Sequence, residues 1–298
     1  MHSLYENKNF GEITFNEELK EYTTFGIGGP ADVLVKVKTK EQLQNLLKFN
    51  KENGIESFVM GRGSNLLISD KGIRGCVILL SNNFDKLSID GDILTALSGT
   101  SLRKASLYAI ENGFAGMEEL SGIPGNVGGA VAMNAGAYGG EIKDVCIEVE
   151  ALDLAGKFYT FTNEQMHFAY RNSRVFEDKL VVVEAKFKLR KDDKTLILEK
   201  FEDFDYRRKS KQPLEKKSAG STFKRPEGSY ASKLIDECGL RGYRIGDCQV
   251  SEKHCGFIIN AGNATCDEMI KFISHISDIV KEKTGFILER EVKLVGEF

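Results

Sequence analysis

The sequence predicts a two-domain protein of the α+β or α/β class. Apolar runs typical of strands alternate along the chain with stretches that have helical periodicity. The chain has 298 residues, about twice the length of an average domain. Nine of the 30 glycines lie between residues 113 and 140, and this clustering indicates a backbone shaped for close approach rather than random loops.

The first two thirds of the chain supply most of the strands. Residues 39–42 (TKEQ) read as a capping box, and the leucines behind it predict a helix that ends at Gly54. A second helix is predicted over 101–112, followed by Gly113. The Gly-rich stretch 125–136 could form a helix only against a close neighbour. Strands are predicted at 31–37, 57–60, 76–80, 93–97, 145–154, 157–162 and 180–189.

The last third of the chain reads as a smaller domain. A polar helix is predicted over 193–209, and we place the domain boundary near its start. Beyond it we expect a helix at 231–238, a strand at 257–260, and a helix opened by the capping box TCDE at 265–268. The chain then ends in an alternating strand over 286–295.

Composition and charge exclude several classes of protein. A net charge of −3 argues against a large nucleic-acid or membrane-binding surface. No run approaches the ~18 apolar residues of a membrane span, and the N-terminus lacks a secretory signal, so a cytoplasmic protein is expected. Six scattered cysteines without a CxxC pair predict buried free thiols. The four histidines show no ligand spacing, so no metal is expected.

Two Gly-rich segments are candidates for binding a diphosphate. In GRGSN, residues 61–65, two glycines would let main-chain N–H groups converge on an anion beside Ser64 and Asn65. An ordinary turn is the alternative. The segment is neither the dinucleotide fingerprint, because Leu66 stands where glycine is required, nor a Walker loop. SGIPGNVGGA at 121–130 is the second candidate, and tight helix packing is its alternative. Two such segments indicate an extended ligand gripped from two sides.

Three polar residues lie in segments suited to chemistry. Arg171 in YRNS could clamp a carboxylate or phosphate, although a surface ion pair is the commoner use of such an arginine. Ser221 in SAGSTFKRP could donate a proton or cap a turn. Glu291 lies on the polar face of the last predicted strand, where a solvated carboxylate is the default.

Together and in order, these segments resemble the UDP-N-acetylenolpyruvoylglucosamine reductase family. The resemblance rests on FGIGGPAD, GRGSNLLI, GMEELSGIPGNVGGAVAMNAGAYGGE, YRNS, SAGSTFKRP and LEREV, from about residue 22 to residue 296. It implies an FAD-binding fold of the vanillyl-alcohol-oxidase/PCMH type in two lobes over 1–192, and a smaller α+β substrate-binding domain over 193–298. Only 49 residues separate Arg171 from Ser221. This spacing resembles the shorter branch of the family, which lacks an inserted substrate-closing lobe.

The resemblance also implies a reaction. It is the NADPH-dependent, FAD-mediated reduction of UDP-N-acetylglucosamine enolpyruvate to UDP-N-acetylmuramate in peptidoglycan precursor synthesis. Hydride would pass from reduced flavin N5 to the terminal enolpyruvyl carbon, Ser221 would donate the proton, and Arg171 and Glu291 would polarise the carboxylate. No obligatory protein partner is evident. FAD would be noncovalent, since neither Gly-rich segment offers a His or Cys anchor.

The implied contacts with cofactor and substrate fall in the same segments. Those assigned to FAD are Gly61, Arg62, Gly63, Ser64, Asn65, Leu66, Ile123, Pro124, Gly125, Gly128 and Gly129. Those assigned to the UDP-sugar are Tyr170, Lys224 and Arg225. Arg225 stands where the longer branch tends to have Asn, so the residue that closes this site is left open.

Two rival functions stay open. The first is another FAD-dependent sugar or alcohol oxidase on the same fold. The second is a non-catalytic protein that binds a nucleotide sugar. It would account for the glycines and the basic residues, but not for the joint presence of Arg171, Ser221 and Glu291.

Overall fold

The computed structural model describes residues 2–6 and 8–298, which fold into two compact units. The first unit holds the residues up to Phe15, then Asp32–Arg62 and Gly75–Arg208; the second holds Asn16–Ala31, Gly63–Arg74 and Lys209–Phe298. The helices are α1 His2–Tyr5, α2 Lys40–Glu52, α3 Leu102–Glu111, α4 Val127–Ala132, α5 Arg174–Glu177, α6 Lys194–Lys211, α7 Ala231–Glu237 and α8 Cys266–Thr284.

The strands are numbered in chain order. They are β1 Glu12–Glu18, β2 Pro30–Lys36, β3 Ser57–Met60, β4 Leu66–Ile68, β5 Ile73–Leu79, β6 Leu87–Asp90, β7 Ile93–Leu97, β8 Phe114–Ala115, β9 Gly136–Ala137, β10 Gly140–Glu141, β11 Cys146–Leu152, β12 Phe158–Thr162, β13 Val181–Lys188, β14 Arg190–Lys191, β15 Lys217–Ser221, β16 Arg244–Ile245, β17 Cys248–Val250, β18 Phe257–Asn260 and β19 Lys293–Val295.

The first lobe of the first unit is a four-stranded sheet in the order β1-β2-β5-β3, with β3 and β5 parallel. Its core includes the buried leucines of α2. Thr39 caps α2 by accepting from the N–H of Gln42 at 3.1 Å. The Gln42 side chain accepts instead from the N–H of Lys38 at 3.0 Å. Only the first half of the predicted capping box therefore forms.

The second lobe is an antiparallel sheet in the order β12-β11-β13-β7-β6, covered by α3 and α4 around its own core. The Gly-rich stretch does form a helix, α4, and Val127, Ala130 and Val131 are buried. A Cβ at Gly128 would lie 2.8 Å from the Cβ of Ser98. This glycine is therefore required by helix packing, the alternative weighed for the segment.

The second unit is a four-stranded antiparallel sheet in the order β15-β18-β17-β16, whose core includes residues of α7 and α8. Strands β4 and β19 pair in parallel beside it. The predicted capping box of α8 forms in full: Thr265 accepts from the N–H of Glu268 at 3.2 Å, and the Glu268 carboxylate accepts in return at 2.9 Å. The α+β class is thus confirmed.

The last predicted strand needs correction, whereas the domain ranges 1–192 and 193–298 stay a prediction. The strand predicted over 286–295 is limited to the three residues of β19, because only these pair with β4. Glu291 therefore lies just before the strand and not within it. The compact units also differ from the ranges 1–192 and 193–298, since residues 16–31 and 63–74 lie in the second unit. Most of α6 belongs to the first unit, where Ile197 and Phe201 are buried with Ile110 and Ala115.

In the described part of the chain, no helix is both long enough and apolar enough to cross a membrane. The prediction of buried free thiols is confirmed, because Cys76, Cys146, Cys238, Cys248, Cys255 and Cys266 are all free and buried.

Candidate active site

The two Gly-rich segments meet in the first unit through the side chain of Asn126. The Asn126 Oδ1 accepts from the main-chain N–H of Arg62 at 2.7 Å, and its amide nitrogen donates to the carbonyl of Gly99 at 2.6 Å. The side chain is buried, with 5% of the residue exposed. Asn126 was not among the predicted site residues. The signal available in the sequence was an amide side chain between two glycine pairs of the second segment.

Replacing Asn126 by alanine should destabilise the first unit. The change removes two buried hydrogen bonds and leaves the Gly99 carbonyl without its donor, which costs about 2–3 kcal/mol. Thermal unfolding should show a fall in Tm of roughly 5 °C or more. Asn112→Ala is the matched control, because the Asn112 amide donates to the Tyr108 carbonyl on an exposed surface. Equal Tm changes in the two variants would contradict the role assigned to Asn126.

Gly61, Gly128 and Gly129 serve different purposes. A Cβ at Gly61 would lie 2.6 Å from the Asn126 Oδ1, so this glycine lets the two segments approach each other, and Gly128 packs on Ser98. Gly129 is different, since no atom lies within 4 Å of its Cβ position. In the chain described here, its N–H donates to no acceptor. Gly129 therefore presents bare main chain to the solvent.

This arrangement fits a diphosphate. An exposed N–H group with no side chain in front of it can donate to a phosphate oxygen, and the main chain can approach closely. The exposed main chain of Gly129 in the first unit therefore suits the diphosphate of FAD. The second unit, taken by itself, offers Gly63 with a φ of 61°, followed by the polar side chains of Ser64 and Asn65. No cluster of His, Cys, Asp and Glu side chains among the described residues is arranged to hold a metal ion.

The second half of GRGSN lies beside the C-terminal segment of the second unit. The Asn65 carbonyl accepts from the N–H of Lys293 at 3.0 Å, and the Asn65 amide nitrogen lies 3.5 Å from the carbonyl of Glu291. Leu66 then opens β4 opposite Lys293. A segment predicted to bind the cofactor is thus held next to a residue predicted to act in catalysis.

Main-chain pairing brings the segment after Ser221 next to the segment that contains Glu291. Ser221 ends β15 opposite Phe257, so it lies at a strand end and not in the turn that was its alternative. The residues after it run antiparallel to the C-terminal segment. The N–H of Lys224 donates to the carbonyl of Glu289 at 2.8 Å, and the N–H of Glu291 donates to the carbonyl of Thr222 at 2.8 Å. Ser221 is exposed and Glu291 is half-buried, so both are accessible.

Arg171 lies in a tight turn of the first unit. Ala169 and Asn172 exchange main-chain hydrogen bonds of 3.0 and 3.3 Å, and Arg171 has a φ of 55°. A short 3₁₀ turn, Glu164–Met166, precedes it. The turn is anchored by Ser173, whose hydroxyl donates to the Ala132 carbonyl at 2.8 Å.

The guanidinium of Arg171 is held on two sides. One nitrogen donates to the Gly136 carbonyl at 3.4 Å, and the group lies 4.9 Å from the ring centre of Tyr170. A left-handed conformation is unusual for a residue with a long side chain, and such outliers cluster at functional sites. The geometry therefore favours a site residue over an ordinary surface arginine.

The two cations predicted to bind the UDP end of a substrate follow Ser221. The Lys224 ammonium lies 2.9 Å from a Glu289 carboxylate oxygen. The Arg225 guanidinium lies 4.1 Å from the ring centre of Tyr230, and both residues are exposed. Their role in substrate binding stays a prediction, as do the individual contacts assigned to FAD.

Comparison with known proteins gives the family. The family model for the UDP-N-acetylenolpyruvoylglucosamine reductase C-terminal domain matches residues 212–295, and a model for an FAD-binding domain matches residues 31–162. The second match confirms the predicted FAD-binding fold. The match to the C-terminal model begins close to the boundary between the units at 208/209.

Whole-length relatives agree. A UDP-N-acetylenolpyruvoylglucosamine reductase from Caldanaerobacter subterraneus is 46% identical over 287 residues, which cover 96% of this chain and 95% of that protein. The one from Clostridium tetani is 44% identical over 295 residues, covering 99% and 96%. The crystal structure of UDP-N-acetylenolpyruvylglucosamine reductase from Thermus caldophilus matches with a TM-score of 0.81 and 37% identity, covering 95% of this chain and 98% of that one. The chain belongs to the UDP-N-acetylenolpyruvoylglucosamine reductase family.

Proposed function

We propose that this chain catalyses the NADPH-dependent, FAD-mediated reduction of UDP-N-acetylglucosamine enolpyruvate to UDP-N-acetylmuramate, a step in peptidoglycan precursor synthesis. Membership of the family supports the reductase activity and FAD as cofactor. The observation that carries the proposal is the main-chain pairing of Glu291 with Thr222, with an N–O distance of 2.8 Å. It supports the proposal because it holds the segment that follows Ser221 next to the segment that contains Glu291.

The cofactor would be held by main-chain donors. In the first unit the available main-chain groups are those around Gly125 and Gly129. Ile123, Pro124 and the Gly61–Arg62 turn that Asn126 holds would contact the cofactor without donating, because proline has no N–H and the N–H groups of Ile123 and Arg62 already donate to the Leu120 carbonyl and to Asn126. In the second unit, the main chain of Gly63 and the side chains of Ser64 and Asn65 are the candidate groups. When bound, FAD supplies the hydride that reduces the enolpyruvyl double bond.

Arg171 would bind the carboxylate of the enolpyruvyl group. When the terminal carbon gains a hydride, negative charge moves onto the adjacent carbon and into that carboxylate. A guanidinium fork matches a carboxylate through two parallel hydrogen bonds and stabilises this charge more as it grows. The turn at residues 169–172 fixes where the fork points without a long flexible loop.

Ser221 would deliver the proton. A serine hydroxyl is a weak acid, but the carbon that receives the proton carries enolate charge and is strongly basic, so the transfer is downhill. Because Ser221 is exposed at the end of β15, its Oγ is open to a substrate. Glu291 would help to orient the substrate carboxylate from the neighbouring segment. Lys224 and Arg225 would attract the diphosphate of the UDP group, and Tyr170 would contact the substrate beside Arg171.

Substrate-dependent oxidation of NADPH tests this proposal. Under anaerobic conditions, the purified holoenzyme should consume one NADPH for each UDP-N-acetylglucosamine enolpyruvate, and product formation should be followed by mass spectrometry. Without the enolpyruvyl substrate, NADPH consumption should stop after one NADPH for each enzyme-bound FAD. Consumption of a sugar or alcohol with oxygen as acceptor, and none with the enolpyruvyl sugar, would support the rival oxidase activity instead.

The bare main chain at Gly129 gives a prediction on cofactor binding. Gly129→Ala places its methyl group in open space and improves helix propensity by about 1 kcal/mol, so the apoprotein should become slightly more stable. The same methyl group would stand between the main chain and a phosphate. FAD affinity, titrated into apoprotein, should therefore fall by roughly tenfold or more, and Gly129→Val should lower it further.

Gly63→Val is a poorer test of FAD binding than Gly129→Ala, because the φ of 61° at Gly63 strains any β-branched residue whether or not FAD is near.

A second measurement tests whether FAD is bound noncovalently. Acid precipitation of the wild-type holoenzyme should release the yellow chromophore into the supernatant. Unchanged FAD affinity in a stabilised Gly129→Ala variant would contradict the binding of the FAD diphosphate at the Gly129 main chain. Colour retained in the pellet would contradict noncovalent binding.

A further inference from the structure

Tyr138 occupies a strained position at the tip of a small hairpin in the first unit. Strands β9 and β10 pair through Gly136 with Glu141 and Ala137 with Gly140, which leaves a two-residue loop of Tyr138 and Gly139. The φ angles of these two residues are 54° and 95°. Such a loop normally carries Asn-Gly or Gly-Gly, because both positions need positive φ. A tyrosine there is an outlier of the kind that functional sites retain.

The Tyr138 ring packs against two residues of α6. It stacks on Phe204 with ring centres 5.0 Å apart and an interplanar angle of 21°. The guanidinium of Arg208 lies 5.5 Å from the ring centre. Arg208 is buried, with 6% exposed, and the missing side chain at Gly122 makes room for it. A buried cation thus stands behind an aromatic ring that remains 40% exposed.

The hydroxyl of Tyr138 is available for a ligand. Within residues 2–6 and 8–298, it forms no hydrogen bond. A phenol hydroxyl can donate to an anion, and the positive charge of Arg208 behind the ring favours an anion in front of it. The ring, the cation and the hydroxyl therefore suit a phosphate group. FAD, NADPH and a UDP-sugar each carry one.

The base of the hairpin favours the UDP-sugar among these ligands. The Gly136 carbonyl accepts from Arg171, the residue proposed to bind the substrate carboxylate. Two residues of strand separate Gly136 from Tyr138, a distance of about 7 Å. In the proposed substrate, the enolpyruvyl ether and the diphosphate are substituents of the same sugar ring, so groups that bind them have to lie close together.

We propose that Tyr138 positions the substrate by donating a hydrogen bond from its hydroxyl to the diphosphate of the UDP-sugar, while Arg171 holds the carboxylate. This inference rests on the proposed function and extends it to a residue that carries no side-chain chemistry in the reaction. The strained turn holds the ring over the Arg208 guanidinium before substrate arrives, so that little ordering is needed on binding.

Calorimetric titration of UDP-N-acetylglucosamine into the oxidised holoenzyme tests the proposal. Tyr138→Phe keeps the ring, the stacking and the turn and removes only the hydroxyl. We expect its Kd to rise by about 10- to 100-fold, the effect of losing one hydrogen bond to a charged group. Its Tm and FAD content should not change. With the enolpyruvyl substrate, KM should rise while kcat is largely kept. Tyr206→Phe removes the hydroxyl of a residue of α6 that is 71% exposed; it is the matched control and should bind like wild type.

Tyr138→Asn gives the second arm, because asparagine suits the turn but removes the ring. It should bind UDP-N-acetylglucosamine no better than Tyr138→Phe. Wild-type Kd values in both variants would overturn the proposal. A loss of FAD content would overturn it in favour of a contact with the FAD diphosphate. A raised KM for NADPH alone would overturn it in favour of a contact with an NADPH phosphate. If wild-type protein binds no UDP-N-acetylglucosamine although it turns over the enolpyruvyl substrate, the diphosphate contact assigned to Tyr138 is overturned and the proposed function stands; if it turns over no enolpyruvyl substrate, the proposed function fails and this inference fails with it.

Discussion

Ser221→Ala is expected to keep fast reduction of bound FAD by NADPH and to slow reoxidation by the enolpyruvyl substrate by about 10³–10⁴-fold. Loss of a general acid typically costs about 10²–10⁴-fold. We place the effect in the upper part of that range because the neighbouring Thr222 is buried, and its hydroxyl accepts from the N–H of Ile258 at 3.1 Å. Reduction by NADPH delivers no proton to a carbon, so this half-reaction does not need Ser221.

The two half-reactions are separated by stopped-flow absorbance. Bleaching of the FAD band after mixing with NADPH measures the first, and recovery of the band after mixing reduced enzyme with substrate measures the second. Ser221→Cys should recover part of the second rate, since a thiol can also donate a proton. Ser218→Ala, on the same strand opposite Ile259, is the matched control and should leave both rates unchanged.

Stability provides the check on interpretation. Ser221 is exposed and its main chain is paired with Phe257, so loss of the hydroxyl should change the free energy of unfolding by less than about 0.5 kcal/mol. If Ser221→Ala slows both half-reactions equally, Ser221 serves to place the cofactor or to hold the strand end, and it is not the proton donor.

The elements that the sequence predicted well are those whose signal is local. The strands at 57–60, 93–97 and 257–260 agree residue for residue, since each is a short apolar or alternating run between polar or turn residues. Helix α8 begins at its capping box. Strand β15 was missed, because KSAGS has neither alternation nor bulky apolar residues, and its pairing with β18 alone makes it a strand.

The candidate site divides along the same line. Residue type and local context were enough to select the Gly-rich segments and the residues Arg171, Ser221 and Glu291. The contacts that connect these segments could not be predicted in this way. The Asn126 amide links the two Gly-rich segments across 64 residues of chain, and the pairing of Thr222 with Glu291 is equally long-range. Such contacts depend on the register between distant segments, which no local pattern specifies.

Arg171→Ala should lower the rate of reoxidation by substrate by about 10²–10³-fold, the loss expected when a donor to developing negative charge is removed. Arg171→Lys should be nearly as slow. A lysine keeps the positive charge and tolerates the turn no worse than arginine, but a single ammonium cannot form two parallel hydrogen bonds with a carboxylate. Reduction by NADPH should stay close to wild type in both variants, because the first half-reaction does not involve the enolpyruvyl carboxylate.

Two comparisons distinguish a carboxylate clamp from a structural arginine. Arg174→Lys is the matched control, since Arg174 forms an ion pair of 2.7 Å with Asp178 four residues on, and this variant should react like wild type. Arg171→Gly relieves the left-handed conformation, where φ is 55°, so we expect it to keep or raise the Tm while losing the reoxidation rate. A residue that only supported the fold would show the two properties falling together. Near-normal turnover in Arg171→Lys would mean that a point charge suffices at this position, and the bidentate role assigned to Arg171 would be wrong.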